Sequence, residues 1–155
     1  MEQHRGKLVS MKHLPCILCI SITLITGLAT TAAAESTLTG LVTHVRDGDT
    51  IELGELPIRL NGVSAPELNE PFGPQSKQFM RDLVIGKIVR CELSGEKTYD
   101  RRVGTCYLEG EDIGATIIKE GLALDCPRYS GGLYAVVESA EARKVIKLPE
   151  YCRFE

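Results

Sequence analysis

The sequence has 155 residues, with 18 Lys and Arg against 21 Asp and Glu, enough for one domain with a modest core and little more. A net charge of −3 argues against a protein that grips nucleic acid through a broad basic footprint, although it leaves room for local contacts with phosphate.

The chain opens with Arg5, Lys7 and Lys12, followed by the apolar run Leu14–Leu28 and by small residues ending in an Ala32-x-Ala34 pattern. This predicts a secretory signal over residues 1–34, cut after Ala34. The alternative is an uncleaved N-terminal anchor, for which the Ala- and Thr-rich tail is poorly suited. Cys16 and Cys19 would leave with the signal. What remains has 15 basic and 20 acidic residues, a net charge of −5. It is expected to be periplasmic or secreted, a monomer, and without stable membrane association.

Four cysteines stay: Cys91, Cys106, Cys126 and Cys152. In an oxidising compartment they predict two disulfides, with three possible connectivities. Zinc is a poor competitor, because no Cys-x-x-Cys pair survives cleavage and His44 is the only histidine left.

"TGLVTHV" (Thr39 to Val45) and "TIEL" (Thr50 to Leu53) read as strands joined by "RDGDT", with Asp47 and Gly48 in a type I′ turn. That leaves Asp49 unexplained, since Asp is disfavoured in strands. An EF-hand loop is excluded because its twelfth position, counted from Asp47, is Ile58. A third strand, "LPIRLNGV" (Leu56 to Val63), ends at the turn-prone "SAPE". From Gly73 to Gly86 the residues Phe79, Met80, Leu83 and Val84 have helical spacing, with Pro74 placed for a first turn and Gly86 for a stop. "KIVRCEL" (Lys87 to Leu93) and "RVGTCYLEG" (Arg102 to Gly110) form a hairpin, "IGATIIKEGLAL" (Ile113 to Leu124) a second helix, and Leu133 to Ile146 a candidate terminal helix. The order suits a five-stranded OB-type barrel with two to three helices, an α+β fold, over residues 35–128, followed by a helical tail over 129–155.

The polar residues in and beside these strands make a chemical set. Asp49 starts the second strand, Arg59 interrupts the apolar "IRL", Glu67 follows Pro66, and "YDRR" places Arg101 and Arg102 at the second hairpin. A carboxylate for a hard cation, another to deprotonate water, and guanidiniums for a charged phosphorane are what phosphodiester hydrolysis needs.

In order and spacing, "VRDGDT", "IRLNGVSAPE", "GPQSKQFM", "YDRRVGTCYLEG" and "IIKEGLA" resemble the thermonuclease, or staphylococcal nuclease-like, family over about Leu38 to Arg128. The resemblance implies an OB-fold barrel and calcium-dependent cleavage of DNA and RNA, with single-stranded or flexible nucleic acid as substrate. It implies Asp49 as a calcium ligand, Arg59 and Arg101 as phosphate-binding catalytic residues, and Glu67 as general base. Tyr99 falls in the nucleotide-contacting place, and Arg102 is the alternative second arginine. Where the family has an aspartate two residues before the proline, this chain has Ser64, so an anionic metal ligand becomes a hydroxyl and calcium should bind more weakly. Two functions follow: an exported metal-dependent nuclease, or a catalytically weakened binding module on the same barrel, associated with exopolysaccharide production.

Hairpin arithmetic selects the disulfides. Cys91 and Cys106 lie symmetrically about a tip between Thr98 and Tyr99, so a regular hairpin sets them opposite each other. Cys126 and Cys152 then tie the tail to the barrel.

Overall fold

The computed structural model describes residues 36–154. The expected signal segment, with Cys16 and Cys19, lies outside the described residues. The elements are β1 (Ser36–Asp47), β2 (Thr50–Leu53), β3 (Leu56–Leu60), β4 (Val63–Ser64), α1 (Gly73–Val84), β5 (Ile88–Thr98), β6 (Arg101–Leu108), β7 (Glu111–Asp112), α2 (Ile113–Lys119), β8 (Leu124–Asp125), α3 (Pro127–Ser130), α4 (Ala140–Val145) and a 3₁₀ turn (Glu150–Cys152). No helix among the described residues is long and apolar enough to cross a membrane.

β1 is the spine of a closed five-stranded barrel. Its first half pairs with β5 and its second half with β2, antiparallel in both cases, and β3 continues from β2. The parallel pair β3–β6, with Arg59 opposite Val103, shuts the barrel. Two irregularities in the β1–β2 register let one long strand serve both neighbours, since bulges sharpen twist. The core is Val42, Val45, Ile51, Ile58 and Leu60 from the strands, capped by Met80 and Val84 of α1 and by Ile113, Ile117 and Ile118 of α2. Val42 and Val45 both reach the core although two exposed residues separate them, because the register irregularity between Val42 and His44 breaks strict alternation.

The β1–β2 turn corrects the type I′ expectation. Asp47 pairs with Thr50, so Gly48 and Asp49 are the central residues, and none of Asp47, Gly48 and Asp49 has a positive φ. Asp47 instead accepts a hydrogen bond from the Asp49 N–H at 3.0 Å. Gly48 is required by packing: a Cβ there would lie 1.9 Å from the Ser76 hydroxyl of α1 and 2.7 Å from the Ala65 Cβ. The Ser76 hydroxyl is buried without a hydrogen-bond partner among the described residues. Ser76→Ala is therefore expected to be neutral or stabilising by up to about 1 kcal/mol in a denaturant titration, because an unmet polar group disappears.

Both disulfides form as the hairpin arithmetic requires, Cys91 with Cys106 and Cys126 with Cys152. The register behind the first differs from the regular hairpin assumed. The tip is Tyr99–Asp100, with Thr98 opposite Arg101, and an irregularity between Leu93 and Lys97 restores Cys91 opposite Cys106. Ser94 makes this detour: its hydroxyl donates to the Val103 carbonyl at 3.3 Å and accepts from the Glu96 N–H at 3.2 Å.

The second helix stops at Lys119 rather than Leu124. Gly121 has φ +74°, a helix-ending conformation, and Leu124–Asp125 pair with Val63–Ser64 as a two-stranded sheet. The expected terminal helix also shrinks to Ala140–Val145. Ser139 caps it by accepting from the Ala142 N–H at 3.0 Å. The preceding segment is irregular and is pinned through Tyr134, whose hydroxyl donates to Asp112 Oδ2 at 2.9 Å.

Candidate active site

Asp49, Arg59, Glu67, Tyr99 and Arg101 line one cleft of about 620 Å³. Ser64 is buried and Arg102 lies on the opposite face of β6 from Arg101; neither lines this cleft.

The centre is Asp49, only 4 % exposed. Arg59 donates from Nη1 to its Oδ1 at 2.6 Å, and the Thr50 hydroxyl donates to the same oxygen at 3.0 Å. The Ala65 N–H donates to Oδ2 at 3.2 Å. Arg101 joins from the far wall, with Nη1 donating to the Thr50 hydroxyl at 3.2 Å. One carboxylate and one hydroxyl thus link two guanidiniums drawn from different strands. Thr50 was not among the residues expected from sequence; its place after "DGD" is the signal, since a hydroxyl can accept from one arginine while donating to the aspartate.

Local structure explains each placement. β2 pairs Thr50 with Arg59 directly, which sets Asp49 beside the arginine, and the closing parallel pair brings Arg101 alongside. Glu67 stands exposed on the loop after β4. That loop is braced by the Glu67 N–H donating to Glu70 Oε2 at 2.9 Å and the Glu70 N–H donating to the Glu67 carbonyl at 2.9 Å.

Burial pushes the Asp49 carboxyl up to about 7, with Arg59 pulling it down and Asp47 adding to the rise. The 2.6 Å contact is an ion-pair distance, but taking both oxygens out of water outweighs one guanidinium, so the direction is upward. A folded-state value above the ordinary 3.8 means the folded chain holds this proton more tightly than the unfolded one. The stability it contributes is fully present below about pH 4 and is lost as pH rises through about 7. The expected result is a fall on the order of a few kcal/mol across that window, absent in Asp49→Asn, read as denaturation midpoints at several pH values.

These donors do not fit a calcium site. Calcium takes six to eight oxygens with several carboxylates. Here the Asp49 oxygens are held by Arg59, Thr50 and Ala65, Ser64 offers no charge, and the described residues contain no group of three His, Cys, Asp or Glu side chains suited to a metal.

The model of the staphylococcal nuclease homologue family matches residues 57–145. Among similar proteins, an uncharacterized endonuclease of Haemophilus influenzae is 32% identical over 57% of this chain and 53% of its own length. The succinoglycan biosynthesis protein ExoI of Rhizobium meliloti is 37% identical over 59% of this chain and 54% of its own. An uncharacterized endonuclease of Escherichia coli O157:H7 is 32% identical over 68% and 72%, respectively. The chain spans about half the length of the first two relatives. The matched span, the closed barrel and the shared order of motifs together place this chain in the staphylococcal nuclease homologue family.

Proposed function

We propose that the chain is an exported nuclease that hydrolyses phosphodiester bonds of DNA or RNA. The observation that carries this reading is the meeting of Arg59, Arg101 and Glu67 around one cleft, from three parts of the chain. Glu67 takes a proton from a water whose oxygen bonds to phosphorus. Arg59 and Arg101 hold the charge that builds on the phosphoryl oxygens, and the leaving sugar oxygen is protonated from solvent. Asp49 and Thr50 aim the two guanidiniums. The two disulfides belong to an oxidising compartment, which supports export.

Calcium is expected to bind no tighter than the roughly 10⁻⁴–10⁻³ M of weak extracellular sites, because only one of the two expected acidic ligands is present. Ser64→Asp supplies the second carboxylate and should tighten calcium binding about tenfold in titration calorimetry. No gain would mean that a carboxylate at position 64 does not reach the cation.

A second reading is a non-catalytic binding module associated with exopolysaccharide production. It draws on Ser64 and on the relative named for succinoglycan biosynthesis. Incubating the protein with single-stranded DNA and with RNA, in calcium and in chelator, separates the two. Cleavage in either condition supports the nuclease, and chelator sensitivity reports whether a metal takes part. Intact substrate in both removes the nuclease reading.

A further inference from the structure

The 3₁₀ turn Glu150–Cys152 reaches back to the cleft, where Tyr151 lines the wall with Tyr99 and Tyr129. Three of the five tyrosines in the chain therefore line the same cleft as the two arginines. Tyr151 is held there covalently, because the adjacent Cys152 is fully buried and bonded to Cys126, which also lines the cleft. The turn packs on α3, the helix that carries Tyr129.

Packing does not account for this ring. Tyr151 is 50% exposed and belongs to neither apolar cluster of the protein. Its phenol lies in the field of Arg59, Asp49, Glu67 and Arg101, the groups around the proposed phosphate position. The tail also falls outside the family match, which ends at residue 145. The disulfide thus brings to the cleft an aromatic face from beyond the matched region.

We propose that Tyr151 is a substrate-positioning residue whose ring stacks on an unpaired base of the nucleic acid whose phosphate sits between Arg59 and Arg101, so that the tethered tail favours single strands. The inference rests on the nuclease reading above. An aromatic ring stacks on any base whose face is free, and in a duplex those faces are already taken by neighbouring bases. Two guanidiniums hold the backbone without regard to sequence, and the ring adds a grip on the base that is the same before and during the reaction.

The test measures kcat and KM of the full chain on a fluorescent single-stranded oligothymidylate, the same strand with abasic sites, and a duplex. Tyr151→Ala is expected to raise KM on the single strand about five- to a hundredfold, the range of one stacked base, with kcat unchanged. Tyr151→Phe should match the parent, since the ring remains. On the abasic strand and the duplex, all three proteins should have the same KM. The inference is overturned by an unchanged KM in Tyr151→Ala, by Tyr151→Phe losing as much as Tyr151→Ala, or by an equal loss on the abasic strand. Failure of the parent protein to cleave any of the three substrates would overturn the nuclease reading itself. Cleavage without a Tyr151 effect would overturn only the stacking.

Discussion

Arg59→Ala and Glu67→Gln are each expected to lower phosphodiester turnover by roughly 10²–10⁴-fold, the range associated with positioned bases and with donors to developing charge. The two should differ in what else they change. Glu67 is exposed on its loop, so Glu67→Gln alters one charge in solvent and should leave the melting temperature within a degree or two of the parent, in line with a surface change of about ±0.5 kcal/mol. Arg59→Ala removes the guanidinium bound to a nearly buried Asp49, and at a pH well above 7, where Asp49 is ionised, breaking a buried pair costs about 3–5 kcal/mol. Adding Asp49→Asn to Arg59→Ala removes the stranded charge. The double variant should regain much of the stability and none of the turnover. Initial rates and thermal melts on the four proteins decide the matter, and activity unchanged by both single substitutions would remove these residues from the mechanism.

Gly73→Ala should be the most damaging change outside the cleft. A Cβ at Gly73 would sit 1.9 Å from the Glu67 carbonyl oxygen, 2.7 Å from its carbonyl carbon and 3.0 Å from the Leu68 Cα. All three are backbone atoms, so no side-chain rotation relieves the clash. Either α1 moves away from the loop or the loop that presents Glu67 moves away from α1. Overpacking costs about 1–3 kcal/mol and more where the backbone must give, so a loss of about 3 kcal/mol is expected in denaturant titration. Turnover should fall as well, because the carboxylate is displaced even in the molecules that fold. A Gly73→Ala protein with parental stability would mean that the loop and the helix are not held together as tightly as their contact implies.

The barrel was legible because its signals are local. "TIEL" occupies β2 residue for residue, and the spacing of Met80 and Val84 marks the buried stripe of α1. The lining of the cleft was legible in part for the same reason: Asp49, Arg59, Glu67 and Arg101 each stand out as polar residues where a strand or its exit has no need of one. What could not be read depends on neighbours distant in sequence. Gly48 looks like a turn residue, and only the proximity of Ser76 and Ala65 makes it a packing residue. The detour at Ser94 is invisible in the pattern, yet it sets which residues face Cys106. Leu122 and Leu124 continue the apolar run of α2, but the turn at Gly121 sends Leu124 to a strand paired with Ser64. Tyr151 carried no signal, because its position depends on a disulfide formed with a residue in another element.

The parallel closure of the barrel also fixes an order of assembly. Residues 58–60 meet 102–104 through a strand pair that cannot form until β6 exists, and such non-local pairings are entropically late in folding. Arg59 therefore waits for Arg101. A chain emerging from the ribosome has its aspartate, its first arginine and its glutamate in place by Glu67, but no second guanidinium until the hairpin beyond residue 100 has been made. The tether at Cys152 comes later still, and only where thiols can be oxidised. A nascent or still-reduced chain thus lacks the finished cleft, with both guanidiniums and the tethered tail in place.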